Sequence, residues 1–353
     1  MAYNVAVLMG GGSVEREFSL ESGGHITRQL RARGHSVLPM DISPQLVETL
    51  LNHKVDVAYI ALHGKGGEDG TIQALLEYLN IPYVGSSSAA CRVAWNKANL
   101  PHALCSYRSR SGWLTVEQEK GGDTTQAALD EAPASWPSAI SLATSSFTEM
   151  GAAGALGLME QRIAGGYPLA VKPARGGSAM GVHKVDSAEG LGTAVLDALS
   201  FDTAVLIEKW VSGIELAVAV VGNGADARAL PPVEIAPHRP FFDTEARQDA
   251  NLVNYYCPVR ASSLAANQNR AHQIRQLIEA AALEVHLALG CRDLSRIDMI
   301  WDGSRVQVLE ANVSPGMTEH SLVPMACAAA ALPFGAFVEE LLNQAIRRFQ
   351  TST

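Results

Sequence analysis

Leu309-Glu-Ala-Asn-Val-Ser-Pro-Gly-Met-Thr-Glu-His-Ser-Leu-Val-Pro-Met325 is the stretch whose reading decides the fold. Glu310 and Asn312 stand two apart inside an apolar run, Val306 to Val313. Residues i and i+2 of a strand share a face, so a carboxylate and an amide oxygen project together from an otherwise greasy strand. Asp298 lies twelve residues before Glu310 in a second such run, Arg296-Ile-Asp-Met-Ile-Trp301, with Gly303 marking a turn between them. If the two runs pair as a hairpin, three hard oxygen donors converge. That set suits Mg2+ carrying a nucleotide phosphate.

The rest of the chain bounds what such a site can serve. Its 353 residues allow two or three domains at roughly 100–200 residues each. An apolar fraction of 47% and a charged fraction of 18% suit a globular chain with a sizeable core. A net charge of −9 argues against a broad nucleic-acid or anionic-membrane surface, while leaving room for a local basic pocket. Cys91, Cys105, Cys257, Cys291 and Cys327 form no Cys-x-x-Cys pair and read as buried thiols in a reducing compartment. No apolar run approaches the roughly 20 residues of a membrane span. The first nine residues lack a basic region ahead of their apolar stretch and read as a strand, not a signal peptide. A cytoplasmic protein is expected.

Hydrophobic patterning gives an α/β chain of mixed type. Val5–Met9 is short and fully apolar, as a strand buried on both faces of a parallel sheet should be. Strands over Ser36–Met40, Val55–Leu62 and Ile81–Val84 alternate with helices from about Glu15 to Arg33, around Pro44–Asn52 and over Thr71–Leu79. This alternation predicts a doubly wound N-terminal domain. The pattern weakens from about 100 to 168, and 106–148 mixes Ser, Thr, Gly, Ala and scattered charges. A helix is then expected over Ala152–Ala164, and strands over Ala170–Lys172, Ala204–Ile207, Leu216–Val221, Val233–Ile235, Ser295–Ile300 and Val306–Ala311. Long helical periodicity covers Ala271–Leu289, and Phe334–Phe349 closes the chain.

Several further clusters carry chemistry. Gly10-Gly-Gly12 precedes a helix whose first residues include Glu15. Such a turn either admits an anion to backbone N–H groups or is simply tight. A carboxylate at Glu15 would recognise the ammonium of an amino acid. The turn lacks G-x-G-x-x-G spacing, which argues against a dinucleotide fold. Lys172-Pro173 ends a strand just before the glycine-rich loop Gly176–Gly181, a cover for ATP phosphates or a surface hairpin. Arg296 and the backbone N–H of Gly316, near the three oxygen donors, would hold a carboxylate and then the oxyanion it develops.

Arg296-Ile-Asp298, Glu310-Ala-Asn312 and Ser314-Pro-Gly316-Met-Thr-Glu-His-Ser321-Leu322 resemble the C-terminal signature of the D-alanine–D-alanine ligases, members of the ATP-grasp superfamily. His63-Gly-Lys-Gly-Gly-Glu68-Asp69-Gly, Gly85-Ser86-Ser87-Ser88 with Lys97, and Glu208-Lys209-Trp210 with Gly213-Ile-Glu215 are similar to that family's other motifs, in the same order. The resemblance implies a three-domain ATP-grasp fold, with an N-terminal unit over 1–98, a central unit over 99–212 and a C-terminal catalytic unit over 213–353. It implies attack of a D-alanine carboxylate on the γ-phosphate of ATP, then of a second D-alanine's amine on the acyl phosphate, for peptidoglycan precursors. Glu15, Ser178, Arg296 and Gly316 would be catalytic. His63, Ser321, Leu322 and Gln248 would bind the amino acids. Lys97, Lys172, Ala179, Glu208, Lys209, Trp210, Glu215 and Arg247 would bind ATP, and Asp298, Glu310 and Asn312 two Mg2+ ions, or Mn2+ in their place. A homodimer with small-molecule partners only is expected.

The chain departs from the family pattern in three places. The phosphate loop reads Gly177-Ser178-Ala179-Met180-Gly181 where a second serine is usual. The mobile loop reads Glu245-Ala246-Arg247-Gln248 in place of Glu-Ala-Lys-Tyr. The stretch from Lys97 to Lys172 is long, with Asn99-Leu100-Pro101 for the usual Gly-Ile-Pro. Arg247 keeps the charge with different geometry, and Gln248 lacks the aromatic body. These changes raise the alternatives of a same-fold ligase with D-serine, D-lactate or another acceptor, and of a catalytically weak paralogue.

Overall fold

The two apolar runs do pair. In the computed structural model, which describes residues 2–110, 133–163, 166–238 and 250–352, they are antiparallel neighbours, with Asp298 opposite Glu310 and Arg296 opposite Asn312. Gly303 turns the chain between them at φ +96°, a conformation glycine reaches without a Cβ penalty.

Four parallel strands, β1 (Asn4–Met9), β2 (Ser36–Asp41), β3 (Val57–Ile60) and β4 (Tyr83–Val84), form the N-terminal sheet in the order β2-β1-β3-β4. Alternate side chains of a strand face opposite ways. Val5, Val7 and Met9 therefore join one core with Ile26 and Leu30 of α1 (Arg16–Ala32). Ala6 and Leu8 join another with Leu46 and Leu50 of α2 (Leu46–Asn52) and with Ile72 and Leu76 of α3 (Thr71–Tyr78). Helices cover both faces, as the doubly wound pattern requires. Burial on this scale contributes roughly 1.5–3 kcal/mol per large aliphatic side chain.

Two further sheets follow. The central one is antiparallel, with β6 (Ala139–Ala143), β7 (Leu169–Pro173), β8 (His183–Val185) and β9 (Ala204–Lys209) in the order β6-β9-β7-β8. The seven-stranded C-terminal sheet runs β13-β12-β10-β14-β15-β5, with β11 (Arg228–Ala229) beside β10. Its members are β5 (Ala134–Ser135), β10 (Ile214–Gly222), β12 (Val233–Pro237), β13 (Val253–Tyr256), β14 (Asp293–Trp301) and β15 (Val306–Asn312). Leu216, Val218, Val220, Ile297 and Met299 face the long helix Gln268–Ala288 in one core. The opposite face carries the polar residues.

A bulge decides where those residues point. Val306 and Val308 pack in the helix-side core, and plain alternation would send Glu310 after them. The register instead steps from Met299–Val308 to Asp298–Glu310, leaving Leu309 without a partner. One extra residue reverses the alternation. Glu310 and Asn312 thereby share the face of Asp298.

Several elements differ from the sequence reading. The helix expected over Ala152–Ala164 starts at Thr144 and breaks at Gly151. Helices Leu100–Arg110, Ala188–Phe201 and Leu322–Ala329, and strands β5, β6, β8 and β13, carried no recognised signal. Leu100–Arg110 packs on the C-terminal sheet's long helix through a buried ion pair, Arg108 Nε to Glu284 Oε1 at 2.6 Å. This stretch and β5 therefore join the third sheet, although they fall within 99–212. Among the described residues, no single helix is long and apolar enough to cross a membrane. All five cysteines are free.

Candidate active site

The three sheets enclose two adjoining cavities. The larger, about 740 Å³, is lined by Glu15, His63, Ser178, Arg296, Asp298, Glu310, Asn312, Gly316, Ser321 and Leu322. The smaller, about 330 Å³, is lined by Lys97, Lys172, Ala179, Glu208, Lys209, Trp210 and Glu215. Glu215 and Glu310 line both. Every candidate site residue that the structure describes is thus on one cavity or the other. Arg247 and Gln248 lie outside the described residues.

At the junction, Arg296 forks onto Asp298, Nε to Oδ1 at 2.7 Å and Nη2 to Oδ2 at 2.8 Å. Such bidentate pairs are strong and directional. The Asn312 amide donates to Asp298 Oδ2 at 3.0 Å. Lys97 Nζ bridges Glu310 Oε2 at 3.1 Å and the Gly176 carbonyl at 2.6 Å. On β10, small residues face this cluster: Ala217 is opposite Asp298 and Ala219 opposite Arg296. Burial opposes the charge of Arg296, but Asp298, with Glu310 and Glu68 behind it, holds the guanidinium above its ordinary value. Among the described residues no group of three His, Cys, Asp or Glu gathers for a metal. The donors here are two carboxylates and one amide, all hard oxygens. They fit a Mg2+ ion that takes its remaining oxygens from phosphates and water.

Glu15 stands just before α1 and ties it to the glycine-rich loop, accepting from Ser178 Oγ at 2.5 Å. Glycines make room for its carboxylate. A Cβ on Gly64, whose φ is +70°, would come 2.7 Å from Glu15 Oε2, and one on Gly177 would come 3.2 Å from it. Ser178 and Ala179 both take left-handed backbone, φ +55°, a conformation costly for residues with a Cβ and typical of functional loops. The Gly10–Gly12 turn proves to be a tight turn serving the chain itself. Gly10 N donates to Ser19 Oγ and Gly11 N to Asp41 Oδ1, both at 2.9 Å. The Arg16 hydrogen bond, with the Gly11 N–H, holds the Asp41 carboxyl down at about 2.

In the smaller cavity, Lys172 Nζ and Glu208 Oε2 form an ion pair of 2.5 Å with both side chains 9% exposed. Adjacent strands place them, since Ala170 is opposite Glu208 and Lys172 is opposite Leu206. Lys209 turns back to the carbonyls of Gly166 and Tyr167, at 2.9 and 3.1 Å. The Trp210 ring lies 5.7 Å from Lys184 Nζ. At the other end of the larger cavity, Ser321 precedes the unforeseen helix Leu322–Ala329, and its hydroxyl accepts from Thr318 N at 3.1 Å. A helix N-terminus favours a carboxylate there.

Four residues of this region, Phe18, Ser22, His25 and Glu68, were missed. α1 presents Phe18, Ser22 and His25 at helical spacing toward the Ser314–Met317 loop. Ser22 Oγ accepts from Met317 N at 3.2 Å, and His25 Nδ1 meets Met317 O at 2.8 Å. Glu68, within the glycine-rich string but given no role, lines the larger cavity and accepts from Gly64 N at 3.1 Å. Burial, reinforced by Glu15 and Glu310, pushes its carboxyl well above the usual range. The signal for Phe18 and Ser22 was their position one and two turns after Glu15.

His63 is 4% exposed, with Nδ1 on the Ser314 carbonyl at 2.9 Å and Nε2 on Ser22 Oγ at 3.2 Å. Burial lowers its pKa to about 4; the Ser314 carbonyl opposes this and Arg296 adds to it. The folded state therefore keeps His63 neutral between pH 6.5 and 4, where an unfolded chain takes up the proton. Stability attributable to this residue falls as pH drops through that window, by on the order of 3 kcal/mol in all. Thermal denaturation from pH 7.5 to 4 should show a smaller loss in a His63→Gln variant than in wild type. Equal slopes would exclude His63 as a source.

The family model described as D-ala D-ala ligase C-terminus matches residues 149–343, and that described as D-ala D-ala ligase N-terminus matches 45–86. A D-alanine–D-alanine ligase of Nitrosococcus oceani is 36% identical over 352 residues, 99% of this chain and 96% of the relative. One of Halalkalibacterium halodurans is 34% identical over 346 residues, 98% and 99% of the two chains. The solved D-alanine–D-alanine ligase of Bacillus anthracis complexed with ATP has a TM-score of 0.71 at 23% identity, covering 100% of both chains. A D-Ala:D-Ser ligase of Enterococcus faecalis has a TM-score of 0.74 at 24% identity, covering 98% of this chain and 100% of that one. At such identities the two structures speak for the fold alone.

Proposed function

The chain belongs to the D-alanine–D-alanine ligase family, and from that premise we propose how its residues divide the ATP-dependent joining of two D-alanines. The chain is an ADP-forming ligase whose dipeptide enters peptidoglycan precursors. Glu15 holds the ammonium of the first D-alanine. Arg296 and the Gly316 N–H orient its carboxylate toward the γ-phosphate and then steady the oxyanion formed when the second amine attacks the D-alanyl phosphate. Ser321 and Leu322, at a helix N-terminus, take the carboxylate of the second D-alanine. His63 stays neutral and keeps the Ser314 loop in register. Lys97 and Lys172 face the phosphates, the loop through Ser178 and Ala179 covers them, the Glu208–Trp210 backbone meets adenine, and Glu215 accepts from ribose. Asp298, Glu310 and Asn312 would hold Mg2+, which when bound neutralises phosphate charge.

The observation that carries this reading is the junction of the two cavities. There an amino-acid anchor, a guanidinium and the oxygen donors lie beside two lysines. The division into 1–98, 99–212 and 213–353 remains our proposal, supported by the three separate sheets but crossed by the packing of Leu100–Arg110. A homodimer in the cytoplasm is likewise proposed, supported for its compartment by five free thiols. The relatives matched over their full length do not favour an alternative acceptor. Incubation with ATP, Mg2+ and D-alanine should give ADP, phosphate and D-alanyl-D-alanine by mass. ADP release with D-alanine but without dipeptide would refute the ligation, and release with L-alanine alone would refute the handedness.

A further inference from the structure

Resting on the donor site just described, we infer that the Phe18 ring sets the size limit for the side chain of the first amino acid. An α-amino acid held by its ammonium and its carboxylate presents its side chain from the carbon between those groups. The ammonium anchor is Glu15, and Phe18 follows it by one helical turn on the same side of α1. The carboxylate anchors include Gly316, where a Cβ would come 2.5 Å from Phe18 Cζ. Phe18 thus spans the two anchors, where the donor's side chain must emerge.

Its ring is held from behind. The Phe18 and His63 ring centroids are 4.9 Å apart, and His63 is itself fixed by Ser22 and the Ser314 carbonyl. Yet Phe18 remains 42% exposed, whereas Ile26 and Leu30 on the same helix are fully buried. Its open part lines the larger cavity. A rigid, unshielded aromatic at that point is a wall for a ligand rather than part of the core. It leaves room for a methyl group and meets longer or branched substituents.

The test uses full-length wild type, Phe18→Leu and Phe18→Ala with ATP, Mg2+, isotope-labelled D-alanine as acceptor, and D-alanine, D-2-aminobutyrate or D-valine as donor. Tandem mass spectrometry reads which residue is N-terminal. The ratio of kcat/KM for D-2-aminobutyrate to that for D-alanine should rise in Phe18→Ala by roughly tenfold, the scale of one methylene in an apolar pocket, and by less in Phe18→Leu. If Phe18→Ala does not fold, Phe18→Leu carries the comparison. An unchanged donor ratio, or widening at the C-terminal position alone, overturns the inference. If wild type makes no D-alanyl-D-alanine, the functional reading itself has failed, a separate outcome.

Discussion

Glu310→Gln is expected to lower ligase turnover by at least about 10³-fold, roughly 4 kcal/mol of lost transition-state stabilisation, while the protein stays folded. Gln keeps the shape of the side chain and removes its charge. Glu310 lies opposite Asp298 across the hairpin and is one of two carboxylates in the proposed metal set. It also faces Lys97 at 3.1 Å, so the substitution alters two partners. Lys97→Met separates them. Loss of metal binding should make Glu310→Gln demand much higher Mg2+ for half-maximal ADP release and weaken Mn2+ binding measured by electron paramagnetic resonance with ATP present. Lys97→Met should chiefly weaken ATP while leaving the Mn2+ signal. Turnover within tenfold of wild type at ordinary Mg2+ would remove Glu310 from the site.

The same residue shows what could be read from the chain and what could not. Glu310 and Asn312 at spacing two, with Asp298 in a facing run, gave the right partners because strand periodicity is local. The bulge at Leu309 is not local. It arises from how two strands match across the hairpin, and without it Glu310 would follow Val306 and Val308 toward the helix-side core. The doubly wound sheet was legible because Val5–Met9 is apolar on both faces, which only burial between two helical layers explains. Arg108 was not legible as a core residue. A lone arginine in a weakly patterned stretch gives no sign that Glu284, 176 positions away, waits for it inside. Glu15 and Arg296 could be singled out from their neighbours in sequence, and both line the larger cavity. Phe18 was overlooked because an aromatic on an amphipathic helix ordinarily signals packing, and only its open face toward the cavity distinguishes it.

Glu15→Gln should raise the KM for D-alanine at the donor site by about 10- to 100-fold, the worth of one charge-assisted hydrogen bond to an ammonium, about 1.5–3 kcal/mol. ATP binding should change little. The substitution is informative because Gln preserves the oxygen that accepts from Ser178 Oγ. The link between α1 and the glycine-rich loop can survive while the charge is lost. Ser178→Ala does the converse, leaving the carboxylate and removing the link. If the two residues act as a unit, Ser178→Ala should lower kcat through the loop proposed to cover the phosphates, with a smaller change in D-alanine KM. The double variant should then fall short of the product of the two single effects, since residues in direct contact are coupled. Initial-rate measurements at saturating ATP, with D-alanine varied across both sites, separate donor from acceptor constants. A Glu15→Gln enzyme with an unaltered donor KM would detach the ammonium from Glu15. The enclosure of that carboxylate by Gly64 and Gly177 would then have to be explained by its hydrogen bond to Ser178 alone.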